Sequence, residues 1–82
     1  MNAEEFSRIS IEKRIKFALD EGNEIFARLD HAILFKVYEA CGFFIEVAYN
    51  TESNTLVSAD LIGEIELLKK YDDQIDLSEL GI

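Results

Sequence analysis

One stretch of the sequence, residues 37–68, combines a strong strand pattern with a complete lack of Lys and Arg. Within it, the run Phe43–Tyr49 alternates between a fully apolar side and a mixed side, which is typical of a β-strand with two different faces. The stretch carries a formal charge of −6 from Glu39, Glu46, Glu52, Asp60, Glu64 and Glu66. These features predict an acidic, aromatic-rich sheet whose surface is suited to contact with another molecule.

The length and the charge of the chain limit what it can bind. Its 82 residues predict a single domain, residues 1–82, with a thin core. The formal net charge is −9, and such a surface repels nucleic acid and anionic lipid over about 8 Å in physiological salt. We therefore expect no direct nucleic-acid binding and no membrane binding, and the favoured partner is a protein, in particular a basic one.

Cysteine content and the absence of long apolar runs predict the compartment. The only cysteine, Cys41, cannot form a disulfide within the chain, whereas small secreted domains usually carry several cysteines. Residues 1–5 lack the basic and apolar regions of a signal peptide. No apolar run approaches the ~18 residues of a membrane span. We expect a soluble, cytoplasmic protein.

Helical spacing of apolar residues predicts a helix at about residues 11–21, with Ser10 as N-cap and Gly22 as stop. Residues 2–9 are expected to add a further helical turn. The apolar stripe of the helix and the two anchors of the added turn are Ile11, Ile15, Ala18 and Leu19, and Phe6 and Ile9.

Two strands are predicted in the middle of the chain. Residues 24–29 alternate between apolar and polar side chains, which favours a strand. Residues 32–39 fit both a helical and a strand period, but their Ile, Phe, Val and Tyr favour the strand. A tight turn of three residues, 40–42, is expected to follow.

The remaining elements complete an α+β domain. Strands at residues 43–49 and 56–62 flank a polar loop at residues 50–54, and a second helix is predicted at residues 64–71. The tail, residues 75–80, has spaced apolar side chains and is expected to pack down. The predicted architecture is an N-terminal helix, a four-stranded antiparallel β-meander and a C-terminal helix.

Both faces of the predicted sheet are partly apolar. One face is assigned to the helices, and the other is expected to need a cover, either the second helix and tail or a partner. The face assigned to the helices contains Phe35, Val37, Phe43, Ile45 and Val47. The opposite face supplies the candidate interface residues, which are Leu34, Tyr38, Phe44, Glu46 and Ala48.

The arrangement of the run Phe43–Asn50, a loop to Asn54, a strand and a Leu-rich helix reaching Tyr71 resembles a group of small uncharacterised proteins found in Bacteroidetes. The resemblance covers roughly residues 22–80 and includes the run Ile75-Asp76-Leu77. It implies the sheet interpretation of residues 32–49. No activity, cofactor or catalytic residue is implied by it.

Residues capable of chemistry are sparse. His31 is the only histidine, so nucleophilic triads and most zinc sites lack their usual components, and Cys41 has no cation near it in sequence to stabilise a thiolate. The cluster Asp72, Asp73 and Asp76 lacks the ligand spacing of a calcium loop. We predict no catalytic residue, no metal and no cofactor.

Two functional hypotheses follow from the sequence. The first is a non-enzymatic protein-interaction module, able to form a homodimer through its sheet, whose aromatic strand supplies apolar anchors and whose acidic rim steers a basic partner. The alternative is an inhibitor or immunity-type protein whose carboxylates mimic nucleic-acid phosphates and block a basic site.

Overall fold

A computed structural model describes residues 1–74, and its elements follow the predicted order. The helices are α1 (Ala3–Arg8), α2 (Ile11–Glu21), α3 (Glu64–Lys70) and a 3₁₀ turn at Asp72–Gln74. The strands are β1 (Asn23–Asp30), β2 (Ile33–Ala40), β3 (Phe43–Asn50) and β4 (Thr55–Ile62). The packing predicted for residues 75–80 lies outside the described residues.

The four strands form one antiparallel sheet in the order β1-β2-β3-β4, which confirms the predicted meander. The ambiguous segment forms β2, as its β-branched and aromatic content predicted. The α+β class and the helix-meander-helix order are therefore confirmed.

The helices pack on opposite faces of the sheet. On one face, called here the α2 face, Phe6 of α1 and Ala18 of α2 form a buried cluster with residues of β2 and β3. On the other, called the α3 face, Leu67 and Tyr71 form a second buried cluster with residues of β2 and β4. The sheet residues in these clusters are Tyr38, Ala40 and Ile45 on the α2 face, and Val37 and Ile62 on the α3 face.

Side-chain caps and one arginine fix the N-terminal helices. Ser10 caps α2 as predicted, because its hydroxyl accepts a hydrogen bond from the backbone N–H of Lys13. Arg14 of α2 donates to the carbonyls of Phe6 at 3.2 Å and of Ser7 at 2.8 Å, which ties α1 to α2.

The predicted division of the sheet into faces is wrong by one residue between β2 and β3. The turn contains only Cys41 and Gly42, with φ of 51° and 83°, which is the left-handed backbone of a two-residue type I′ hairpin turn. Ala40 therefore pairs with Phe43, and Tyr38 pairs with Ile45. A three-residue turn would pair odd-numbered residues with odd-numbered ones. The real turn pairs odd-numbered residues with even-numbered ones, so the two faces of one strand are exchanged relative to the other strand.

The predicted apolar stripe of α2 is only partly buried, and α3 likewise buries only part of its apolar side chains. In α3, Leu67 and Tyr71 are buried, while Ile65 is 70% exposed. In α2, Ala18 is fully buried but Leu19 is 62% exposed. Short helices on a small sheet bury only a narrow strip of their surface, so apolar residues at the margin of each stripe stay in contact with solvent.

Candidate protein-docking surfaces

The candidate interface residues predicted from the sequence do not share one face. Leu34 and Tyr38 lie on the α2 face, whereas Phe44, Glu46 and Ala48 lie on the α3 face, because of the two-residue turn. Tyr38 and Ala48 are buried, at 8% and 3% exposure, and Phe44 packs against the cluster formed with α3. Of the five residues, Leu34 alone belongs to a part of the sheet that the described helices leave open.

A row of four apolar side chains crosses the open part of the α2 face. Leu29 pairs with Leu34, Leu34 with Tyr49, and Tyr49 with Leu56, so the row runs across all four strands. Leu29 is 64% exposed and the other three are half-buried. Within the described residues, none of the four packs in either core cluster. We call these residues the open row.

One side of α2 extends the open row with further apolar surface. Phe17 faces the β2–β3 turn, since its ring stacks on Phe43 with centroids 6.1 Å apart. Ile15 and Leu19 lie on the other side of the helix, beyond the buried Ala18, at 100° per residue. They therefore border the open end of the sheet, where the β1–β2 and β3–β4 turns lie.

The surroundings of the open row are close to neutral. In the next row of the same face, Lys36 forms an ion pair with Glu24 at 3.0 Å, which raises the pKa of Lys36. At the β1–β2 turn, Asp30 lies 2.7 Å from the Nδ1 atom of His31. The exposed Glu52 of the β3–β4 turn adds one carboxylate at this end, so most of the excess negative charge of the chain lies elsewhere.

At both edges of the sheet, a side chain forms hydrogen bonds with backbone groups in the middle of the edge strand. On β1, the amide of Gln74 accepts from the N–H of Ala27 at 3.3 Å and donates to its carbonyl at 2.7 Å. On β4, Arg14 donates to the carbonyl of Ala59 at 2.9 Å and to Asp60 at 3.1 Å. An added strand would have to displace these bonds, so the edges are protected and the open row is the more accessible contact surface.

The most strongly perturbed side chains form a structural cluster on the α3 face. The hydroxyl of Tyr71 donates to the Oε2 atom of Glu46 at 2.9 Å, and Lys70 donates to Oε1 at 3.1 Å. Burial, and then the hydrogen bond to Glu46, raise the pKa of Tyr71 from 10.0 to about 12. Arg28, 5.8 Å from the Tyr71 ring, opposes this rise. The cluster joins α3 to the sheet and holds Glu46 in place.

The other residues considered for chemistry are separated in the fold. His31 and Cys41 lie in turns at opposite ends of β2, and both are exposed. Asp72 and Asp73 are exposed beside α3, and Asp76 lies outside the described residues. Across residues 1–74, no three His, Cys, Asp or Glu side chains are arranged to hold a metal ion. In the same span, no helix has the length and apolar character needed to cross a membrane.

Comparison of the chain with protein-family models, with curated proteins and with solved structures found no match. The resemblance to Bacteroidetes proteins therefore stays a prediction. Of the open row, sequence reasoning included Leu34 among the candidate interface residues and missed Leu29, Tyr49 and Leu56. The two-residue turns between β1 and β2 and between β2 and β3 would have aligned Leu29 and Tyr49 with Leu34, whereas Leu56 follows a four-residue turn, residues 51–54.

Proposed function

We propose that this protein is a non-enzymatic protein-interaction module that forms a homodimer by packing the open row of one copy on that of another. The observation that carries the proposal is the open row itself, a line of apolar side chains across four strands that lies outside both core clusters of residues 1–74. Strands spaced about 4.8 Å apart make this face roughly 15–20 Å wide. Apolar surface of this kind on a small soluble domain is typical of an interaction site.

A second copy suits the open row better than a basic partner does. A two-fold axis through the row would place apolar side chains against apolar side chains, as an isologous contact requires. The nearest ion pair, Glu24–Lys36, is neutral as a unit. A basic partner would gain little electrostatic attraction here, because most of the surplus carboxylates lie elsewhere and Glu52 is the exposed carboxylate of the neighbouring turn.

A role in binding fits the side chains of the domain better than a role in catalysis. Within residues 1–74, the group with the most strongly raised pKa is Tyr71, which is buried and joins α3 to the sheet, whereas catalytic groups must reach a substrate. We also propose the cytoplasm as its compartment, since the single cysteine favours a reducing environment.

Sedimentation velocity of the full chain from about 1 to 500 µM tests the dimer, with Leu29→Ser as the disrupting variant. Burial of one Leu is worth about 1.5–3 kcal/mol, and a symmetric dimer contains it twice, so the dissociation constant should rise at least ten-fold. Ile65→Ser is the matched control, because Ile65 is equally exposed but belongs to the α3 face. Far-UV circular dichroism checks that both variants stay folded.

The salt response separates the dimer from the alternative function. Self-association of chains of charge −9 should strengthen as salt screens their repulsion. An inhibitor that mimics phosphates would bind its basic target more weakly as salt rises. A chain that stays monomeric at 500 µM, or equal effects of Leu29→Ser and Ile65→Ser, would contradict the proposal.

A further inference from the structure

An apolar cleft lies at the end of the sheet opposite the open row. Its volume is about 380 Å³, within the range of ligand pockets, roughly 300–1,000 Å³. The start of α1, the β2–β3 turn and the β4–α3 junction meet there. The lining residues that matter to the argument are Ala3, Phe43, Phe44, Leu61, Ile62 and Glu64.

The walls of the cleft are apolar and partly accessible. Phe43 and Phe44 are half-buried, and Leu61 is 39% exposed. Phe43 and Phe44 start β3, whereas Tyr49 of the open row is close to its end. At about 3.3 Å per residue, roughly 20 Å separates the two surfaces, so a variant in one need not disturb the other.

The rim of the cleft is acidic. Glu64 lines it, Glu39 pairs with Phe44 across the sheet, and Glu5 lies in the first turn of α1. Within residues 1–74, none of these three carboxylates forms an ion pair with a cation of the chain. The cation-free stretch, residues 37–68, includes most of the cleft.

We propose that this cleft binds a basic protein segment that inserts one or two aliphatic side chains between flanking Lys or Arg residues. The apolar walls provide contacts for the aliphatic side chains, and the carboxylates of the rim attract the cations beside them. The proposal rests on the protein-interaction role argued above, but it does not require the homodimer.

Charge complementarity favours a basic protein segment in the cleft over a second copy of the chain or a nucleic acid. A second copy would bring its own excess of carboxylates to a cleft that is lined by Glu64 and has Glu39 beside its Phe44 wall. A nucleic acid would meet the same repulsion from its phosphates. A basic segment instead lowers the repulsion among the rim carboxylates when it binds.

Binding can be measured with a fluorophore attached to Cys41, which is exposed and is the only cysteine of the chain. Cys41 precedes Gly42 of the cleft wall, so the label reports on this end of the sheet. The probes are three acetylated and amidated tetrapeptides, with the sequences Lys-Leu-Leu-Lys, Glu-Leu-Leu-Glu and Lys-Ser-Ser-Lys. The first should bind at least ten-fold more tightly than either of the others.

Two variants and a control locate the binding. Glu64→Gln should weaken binding of the Lys-Leu-Leu-Lys peptide three- to five-fold, and Leu61→Ser should weaken it about ten-fold. Glu52→Gln removes the same charge from the exposed β3–β4 loop at the opposite end of the sheet, and it should change binding less than two-fold. Amide chemical shifts of the unlabelled chain provide a measurement that does not depend on the fluorophore.

Equal affinities for the three peptides would overturn the proposal, and so would equal effects of Glu64→Gln and Glu52→Gln. The Leu29→Ser variant distinguishes this failure from failure of the homodimer. If the peptide binds Leu29→Ser normally while the wild-type chain stays monomeric, the cleft proposal stands and the homodimer does not.

Discussion

Tyr71→Phe should destabilise the domain by an amount that depends on pH in a defined direction. The Tyr71 side chain is fully buried, and its hydroxyl donates to the carboxylate of Glu46, which is 15% exposed. A hydrogen bond to a charged group contributes about 1.5–3 kcal/mol. The variant should lose that amount at about pH 8, because Glu46 keeps only its contact with Lys70.

The pH dependence follows from the raised pKa of Tyr71. The rise from 10.0 to about 12 favours the protonated hydroxyl in the folded state. The corresponding stability is fully present below pH 10 and is lost as the pH rises towards 12. At about 1.4 kcal/mol per pKa unit the loss approaches 3 kcal/mol. The stability gap between the wild-type chain and Tyr71→Phe should therefore shrink towards zero over this interval.

Urea unfolding followed by circular dichroism at several pH values from 8 to 11.5 measures this gap. Tyr38, whose pKa is also raised by burial, titrates in both proteins and cancels in the comparison. Tyr49→Phe is the control at pH 8, because the Tyr49 hydroxyl donates only to Asn54 in an exposed loop. A gap of the same size at pH 8 and pH 11.5, or no gap at pH 8, would refute the reasoning.

Two further comparisons test the packing by urea unfolding. Phe6→Ala should cost about 3–5 kcal/mol, because Phe6 is fully buried, whereas Ile65→Ala should change stability by under about 0.5 kcal/mol. Gly22→Ala should destabilise by about 1–3 kcal/mol, since its Cβ would lie 2.5 Å from the Ala18 carbonyl oxygen. Gly63→Ser should stabilise by about 0.5–1 kcal/mol by adding the side-chain cap that α3 lacks. Equal changes in the free energy of unfolding for Phe6→Ala and Ile65→Ala, or for Gly22→Ala and Gly63→Ser, would contradict these assignments.

The elements were predictable from sequence because each contains its own local signal. The β-branched and aromatic content of residues 32–39 predicted β2, and Ser10 predicted the start of α2. The length of the β2–β3 turn was not predicted correctly, because Cys41 is an unusual residue for a left-handed backbone position and gives no local signal of a two-residue turn. A one-residue error in that turn exchanged the faces of β2 and placed Leu34 and Tyr38 on the same face as Phe44.

The positions of the helices relative to the sheet could not be obtained from periodicity. A stripe such as Ile11, Ile15 and Leu19 indicates an apolar side of a helix, but it does not say how much sheet lies beneath that side. In this domain α2 crosses near Tyr38 and Ile45, and no helix within residues 1–74 covers the far end of this face. The open row is a consequence of helix length and crossing position, which are tertiary properties.

Added salt should have opposite effects on binding at the two ends of the sheet. The open row is apolar and the nearby Lys36 is paired with Glu24, so added salt mainly screens the repulsion between whole molecules and should strengthen self-association. At the cleft, Glu39 and Glu64 attract the cations of a bound segment, so added salt should weaken binding. General adhesion of apolar surface would give the same sign at both ends. Responses of the same sign would therefore argue against a neutral end and an acidic end with separate roles.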